Sequence, residues 1–155
     1  MNKEIIYLVG QISTSAKETY AWRREVVNFF RNENFEIIDP CSNNFNKGII
    51  KNGMNINNVY SSSGINIIPH KDYTYVKRST MAFANLNIYD KEKPILGSFF
   101  ELAWYYTMPE KTVIGIFDGD PNKAIQCKHP FVQEVVTTWV KTPEEACYLT
   151  LHYFS

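Results

Sequence analysis

Short apolar runs, each closed by a turn-forming residue, alternate along this chain with helical patterns, and that alternation leaves few folds open. Ile5 to Gly10 reads as a fully buried strand closed by glycine. Ser13 to Glu33 then carries Trp22, Val26, Phe29 and Phe30 on one helical face. Phe35 to Ile38 is a second strand, stopped by Asp39-Pro40 because proline cannot continue a ladder. Further on, the pattern predicts a short helix over Lys71 to Ser79, a buried strand over Met81 to Leu86 and a helix over Ser98 to Tyr106. A fourth strand follows over Thr112 to Phe117, and a weakly alternating fifth over Val135 to Val140. Thr142-Pro143-Glu144-Glu145 opens the last helix with a threonine cap, proline at the first helical position and acidic residues in the first turn. Strand, helix and strand in repeated succession imply a mostly parallel sheet with right-handed crossovers.

One stretch breaks the rhythm. From Cys41 to Pro69 the chain is rich in Asn, Ser and Gly, with Ile49, Ile50, Met54, Ile56, Val59 and Tyr60 as its apolar anchors. A connection of that length inside a compact domain is usually a lid, a binding loop or disordered. Residues 41–69 are read as a substrate-covering lid within one domain that spans residues 1–155.

Composition narrows the partners. Lys plus Arg and Asp plus Glu number 16 each, so no net field exists to hold a polyanion, and a nucleic-acid polymer is excluded as partner. The start, Met1-Asn2-Lys3-Glu4, runs straight into a strand and no apolar run reaches the ~18 residues of a membrane span. A cytoplasmic protein is expected. Cys41, Cys127 and Cys147 are odd in number and lack metal-ligand spacing, which suits a reducing compartment and supports neither a metal site nor a cofactor. Ten Tyr, ten Phe and three Trp exceed what a small core needs, so some are expected in a pocket or at a subunit interface.

The chemistry-bearing candidates begin with Gly97-Ser98-Phe99-Phe100-Glu101. Ser98 and Glu101 have the spacing of a capping box, in which the two side chains satisfy free N–H groups at a helix start. The same geometry sets a carboxylate at the positive end of a helix dipole, where it stays ionised and can act as a nucleophile. Tyr7 reads either as a core aromatic or as a hydroxyl donor at a site. Asp72 reads as a helix cap or as a second carboxylate, and Asn85 as a strand-end turn residue or a ligand contact.

In order and spacing these pieces resemble the nucleoside 2-deoxyribosyltransferase family. The resemblance rests on Tyr7-Leu8-Val9-Gly10 in the first strand, Trp22 in the first helix, Asp39-Pro40 after the second strand and Ala84-Asn85-Leu86 in the third. It also rests on Gly97-Ser98-Phe99-Phe100-Glu101-Leu102-Ala103, which is similar to the family's Gly-Thr-x-x-Glu-Leu-Gly. It covers most of the chain, weakly in residues 41–69 and the C-terminal third. It implies a flavodoxin-like, Rossmann-like three-layer α/β sandwich with five mostly parallel strands. By the same resemblance Glu101 forms a covalent ester with C1′ of the deoxyribose, Tyr7 holds that carboxylate, and Asp72 moves the proton to and from the base. Gly10, Asn85, Gly97 and Ser98 are then substrate contacts. His129, in Lys128-His129-Pro130-Phe131, falls where family members send a polar residue into a neighbouring subunit's site, although a lone His is more often structural. The family is homo-oligomeric, and its substrates are a nucleoside and a free nucleobase. One departure stands out: this chain has Ser79-Thr80 where the family commonly carries an Asp before the third strand.

A related group cleaves deoxynucleoside 5′-monophosphates, holding the phosphate with small and hydroxyl residues near the nucleophile and a basic turn after the first strand. Here Ile95, Phe99 and Phe100 crowd the first place, and Gly10 to Ser15 lacks arginine in the second, which favours a nucleoside. Ser13, Thr14, Ser15 and Lys17 keep anion binding open. Three readings therefore stand: transfer of 2-deoxyribose between bases, hydrolysis of the same bond in a nucleoside or its monophosphate, and a non-catalytic nucleotide-sensing module.

Overall fold

In a computed structural model, which describes residues 2–42 and 67–155, the strands pair only in parallel. β1 (Glu4–Gly10) lies between β2 (Phe35–Ile38) and β3 (Met81–Asn85), with β4 (Thr112–Ile116) and β5 (Thr138–Val140) beyond, in the order β2-β1-β3-β4-β5. Between and after them lie α1 (Glu18–Phe29), α2 (Ile67–Arg78), α3 (Leu96–Tyr106), α4 (Pro130–Val135) and α5 (Pro143–Phe154). This is the flavodoxin-like order, as expected. Its direction of winding reverses between β1 and β3, so the carboxyl ends of those strands open a crevice where ligands bind in sheets of this kind. Gly10 and Asn85 face each other across that opening.

Alternation along β1 feeds two cores. Ile6 and Leu8 join Trp22, Val26 and Phe30 from α1 and its end, Phe83 from β3, and Ala146 and Cys147 from α5. Tyr7 and Val9 turn to the other face, beneath Val76 of α2 and Leu102 and Tyr105 of α3. Burial of a large apolar side chain stabilises by about 1.5–3 kcal/mol, so either layer alone outweighs local helix preferences. The helix pair α2 and α3 thus roofs the strand that carries Tyr7.

Several boundaries differ from the sequence expectation. α1 starts at Glu18, not Ser13, because Ser13 is engaged elsewhere: its hydroxyl bonds Asp90 at 2.5 Å and its N–H donates to Thr19 Oγ1 at 3.2 Å. α2 is helical from Ile67, so residues 67–69 belong to it rather than to the expected lid; proline is tolerated in a first turn, where its N–H has no helical partner anyway. The remainder of the expected lid, residues 43–66 with Tyr60, lies outside the described residues. The fifth strand is only Thr138–Val140, and Val135 ends a helix, α4, that periodicity did not predict. His129-Pro130 nevertheless carries the cap-then-proline signature, with His129 Nδ1 accepting from the N–H of Phe131 at 3.3 Å. At α5 the expected cap is present: Thr142 Oγ1 accepts from the N–H of Glu145 at 3.1 Å. Among the described residues no helix is long and apolar enough to cross a membrane.

Candidate active site

Three side chains that are far apart in sequence meet under the α2–α3 roof. Tyr7 comes from β1, Asp72 from α2 and Glu101 from α3, and both carboxyl groups lie close enough to act on the tyrosine. Each also has a buried oxygen with no hydrogen-bond partner: Tyr7 Oη, Asp72 Oδ1 and Glu101 Oε2. Buried polar atoms are almost always paired, and leaving one unpaired costs about 1–3 kcal/mol. Trp22 Nε1 and Thr150 Oγ1 are buried and unpaired too; what sets Tyr7, Asp72 and Glu101 apart is that these three titratable groups act on one another.

Both carboxylates prove to be helix-interior residues, which overturns the readings as caps. α3 begins at Leu96 with Ile95 at its cap position and no side-chain cap bond, so Ser98 lies inside the first turn and the Ser98–Glu101 capping box does not form. Asp72 likewise follows helical residues from Ile67 onward. The expectation that the helix dipole keeps Glu101 ionised also fails, since that field fades beyond the first turn. Burial instead pushes the Glu101 carboxyl up to about 8; the Tyr7 hydroxyl pulls it down, the charge of Asp72 pushes it up and Arg23 pulls it down. Asp72 is raised as well, by burial, against the lowering influence of Lys71 and Arg23. Tyr7 is raised far above its ordinary value by burial first and the two acids next, so it stays a neutral donor. Tyr7 and Glu101 stand close enough to influence one another as donor and acceptor, yet neither Tyr7 Oη nor Glu101 Oε2 makes a hydrogen bond of closed geometry.

The expected binding residues divide into those at the crevice and those away from it. Gly10 ends β1, roughly 10 Å along the strand from Tyr7. A Cβ there would stand 2.9 Å from the Trp22 ring and 3.2 Å from the Asn85 carbonyl, so glycine is what lets α1 close on the strand end. Asn85, opposite, is buried and already engaged: its Oδ1 accepts from the N–H and Nδ2 of Asn87, and its Nδ2 donates to Tyr89 Oη. Gly97 and Ser98 fall in the first turn of α3, and a Cβ on Gly97 would meet nothing within 4 Å. Packing therefore does not explain that glycine. His129 is exposed and caps α4. Ser79 and Thr80, the departure noted above, sit at the amino end of β3: Ser79 Oγ bonds Tyr105 Oη at 2.5 Å, and Thr80 Oγ1 accepts from the N–H of Ile5 at 2.9 Å. They hold the strand end opposite to the crevice.

Two features were missed from sequence. Gln11 clasps the turn after β3: its Oε1 accepts from the N–H groups of Tyr89 and Asp90, and its Nε2 donates to the carbonyls of Asp90 and Lys93. That clasp fixes the approach to Gly97. Arg23, in α1, is the one fully buried charged side chain among the described residues. A polar residue directly after a glycine-ended strand was the available signal for Gln11; for Arg23 there was none.

A groove of about 1000 Å³ lies elsewhere, between α3 and α4, and is lined by Leu96, Phe99, Tyr106, Ile125, His129 and Phe131 among others. Ile95 and Phe99 line this groove and also pack in the core layer that holds Tyr7, and Phe100 is exposed. None of Tyr7, Asp72 or Glu101 lines the groove. No group of three or more potential metal ligands is gathered among the described residues.

No protein-family model matches the chain, and no curated protein does. Solved structures do share its fold. A 2-desoxiribosyltransferase from Leishmania mexicana superposes with a TM-score of 0.68 at 12% identity, over 98% of this chain and 99% of that one. A conserved protein from Enterococcus faecalis gives 0.64 at 15% identity, over 95% and 96%. The Clostridium botulinum CMP N-glycosidase BcmB gives 0.55 at 15% identity, over 97% and 100%. The chain thus shares the fold of these solved structures.

Proposed function

We propose that this protein cleaves the N-glycosidic bond of 2′-deoxyribonucleosides and transfers the deoxyribose to another base through an ester on Glu101. The observation that carries this is the meeting of Tyr7, Asp72 and Glu101, each with a buried oxygen that makes no hydrogen bond, that of Asp72 facing the Lys71 ammonium at 3.9 Å. The likeness to a deoxyribosyltransferase and to a nucleotide N-glycosidase supports sugar–base chemistry.

In the first step a Glu101 oxygen attacks C1′ as the C1′–N bond breaks, and the bond electrons leave on the base nitrogen. Protonated Asp72 delivers its proton there, as an acid with a raised pKa is suited to do. In the second step Asp72 takes a proton from the incoming base, whose nitrogen attacks C1′ and releases the Glu101 carboxylate. Tyr7 donates to that carboxylate, a contact that tightens from its open geometry once substrate fills the site. Because Glu101 itself is raised to about 8, this hydrogen bond is also what favours its ionised form. Gly97 leaves the backbone open for a close sugar contact.

Hydrolysis, with water replacing the acceptor base, is the second reading, supported by the likeness to the CMP N-glycosidase. A nucleoside is favoured over its monophosphate because the Ser13 hydroxyl is held by the Asp90 carboxylate, an anion where a phosphate would sit. The exposed aromatics Tyr106 and Phe131, with His129 beside them, form the face we assign to self-association. The test is incubation with a deoxynucleoside, with and without a different free base, and separation of the products by chromatography. A new deoxynucleoside marks transfer, free deoxyribose marks hydrolysis, and unchanged substrate removes both.

A further inference from the structure

The whole hydrogen-bonding capacity of Gln11 goes to one loop, residues 86–95, which joins β3 to α3. Its Oε1 accepts from the N–H groups of Tyr89 at 3.0 Å and Asp90 at 2.9 Å, and its Nε2 donates to the carbonyls of Asp90 at 2.8 Å and Lys93 at 2.9 Å. A side-chain amide has two N–H donors and one oxygen with two lone pairs, so nothing is left over. Ser13 adds a second grip, its hydroxyl bonding the Asp90 carboxylate at 2.5 Å.

Both ends of this clasp are anchored. Gln11 directly follows Gly10, which ends β1 and pairs with Asn85 of β3. β1 has no β2 partner beyond Tyr7, and there Arg23 holds it from α1, donating to the Leu8 and Gly10 carbonyls at 2.8 and 2.9 Å. At the loop end, Lys93 is followed by Pro94, whose ring fixes φ, then by buried Ile95, and α3 begins at Leu96. The grip on Lys93 thus reaches the start of α3 through a stiff link. Along α3, Phe99 and Leu102 pack with Ile95 in the layer that holds Tyr7, and Glu101 precedes Leu102. The clasp therefore ties the strand that carries Tyr7 to the helix that carries Glu101, by a route separate from the packing of α2 on α3.

A loop at the surface does not need such a device to exist, because water satisfies exposed backbone groups. Gln11 is 4% exposed, and a buried amide is tolerated only with its bonds made. All four bonds close together in a single loop geometry, so the amide selects that geometry over its neighbours.

We propose that Gln11 is a positioning residue of this site: by clasping the β3–α3 loop to the end of β1, it sets the separation of the Tyr7 hydroxyl from the Glu101 carboxyl. This rests on reading Tyr7 and Glu101 as a working pair.

The test is carbon-13 NMR of the chain labelled at tyrosine Cζ, with the Tyr7 resonance assigned through Tyr7→Phe. Glu101→Gln should displace that resonance and so calibrate the contact. Gln11→Met keeps the length of the side chain and removes every bond of the clasp; it should displace the Tyr7 resonance as well. Gln133→Met is the control, because Gln133 grips another loop through the Pro121 and Cys127 carbonyls, and it should leave Tyr7 in place. On a deoxynucleoside, Gln11→Met should lower kcat about 10²-fold with KM little changed, the loss that a misplacement of about 1 Å brings. A folded Gln11→Met protein with Tyr7 unmoved overturns the proposal, and so does an equal displacement in Gln133→Met. If Gln11→Met does not fold, Gln11→Asn, which keeps the amide with one methylene less reach, is read in the same way. The resonance does not depend on turnover. A chain that cleaves no nucleoside yet shows the displacement retains the role of Gln11 and loses the proposed reaction, whereas an active chain with Tyr7 unmoved keeps the reaction and loses the role of Gln11.

Discussion

Asp72 of α2 and Glu101 of α3 each hold a buried carboxyl oxygen without a hydrogen-bond partner, and the charge of Asp72 raises the pKa of Glu101. Two acids so placed do not both ionise readily, which separates a proton carrier from a nucleophile in one crevice.

Glu101→Gln should abolish cleavage and also stabilise the fold above neutral pH. The folded pKa of Glu101, about 8, lies above its ordinary 4.5. Between those values the folded state holds the extra proton, so parent stability falls as pH rises from about 4.5 to about 8 and levels off above that. Urea unfolding at pH 5 and pH 8.5 should show little difference between variant and parent at the lower pH and a clear gain for the variant at the higher. Equal stabilities at pH 8.5 would mean that Glu101 is not buried as a raised acid.

The rate of glycosidic cleavage at low substrate should be bell-shaped in pH with one limb near 8, since Glu101, raised to about 8, must lose a proton while Asp72 keeps one. Asp72, raised by burial, sets the other limb. A kcat/KM that is flat from pH 6 to 9 contradicts the assignment of Glu101 as nucleophile.

Tyr7→Phe should slow cleavage about 10²-fold, within the range of a positioned donor. It should not destabilise the protein, because the hydroxyl removed is buried and unpaired. Paired measurements of kcat and thermal midpoint check both halves; a large drop in the midpoint would make the hydroxyl structural.

Gly10→Ala and Gly97→Ala should part company. At Gly10 the new methyl meets the Trp22 ring and the Asn85 backbone, which predicts a loss of about 1–3 kcal/mol from overpacking. At Gly97 it meets nothing, so the fold should be unharmed or gain up to about 1 kcal/mol of helix propensity, while activity falls if substrate approaches that backbone. Unfolding curves beside an activity assay separate the two.

Phe131→Lys should convert an oligomer to a smaller species in analytical ultracentrifugation. Phe131 is 73% exposed on the rim of the apolar groove, so a charge there leaves the monomer core untouched. An unchanged sedimentation coefficient places self-association on another surface.

The alternation of strand and helix was readable because each apolar run is local: Ile6 to Val9, Met81 to Leu86 and Val113 to Ile116 bury their side chains whatever lies next to them. Thr142-Pro143 set the start of α5 for the same reason, since a cap and its N–H partner are three residues apart. Tyr7, Asp72 and Glu101 were named from their order along the chain, and the fold brings them together. Sequence spacing misjudged their local roles, because Ser98 and Glu101 have capping-box spacing whether or not the helix begins one turn earlier. Only the tertiary structure decided that it does, and that burial, not the helix end, governs Glu101. Nor could local pattern reveal Gln11 gripping Asp90 across 79 positions or Arg23 closing β1 from α1. A polar side chain in the interior takes its meaning from its partners, and here folding alone brings those partners within reach.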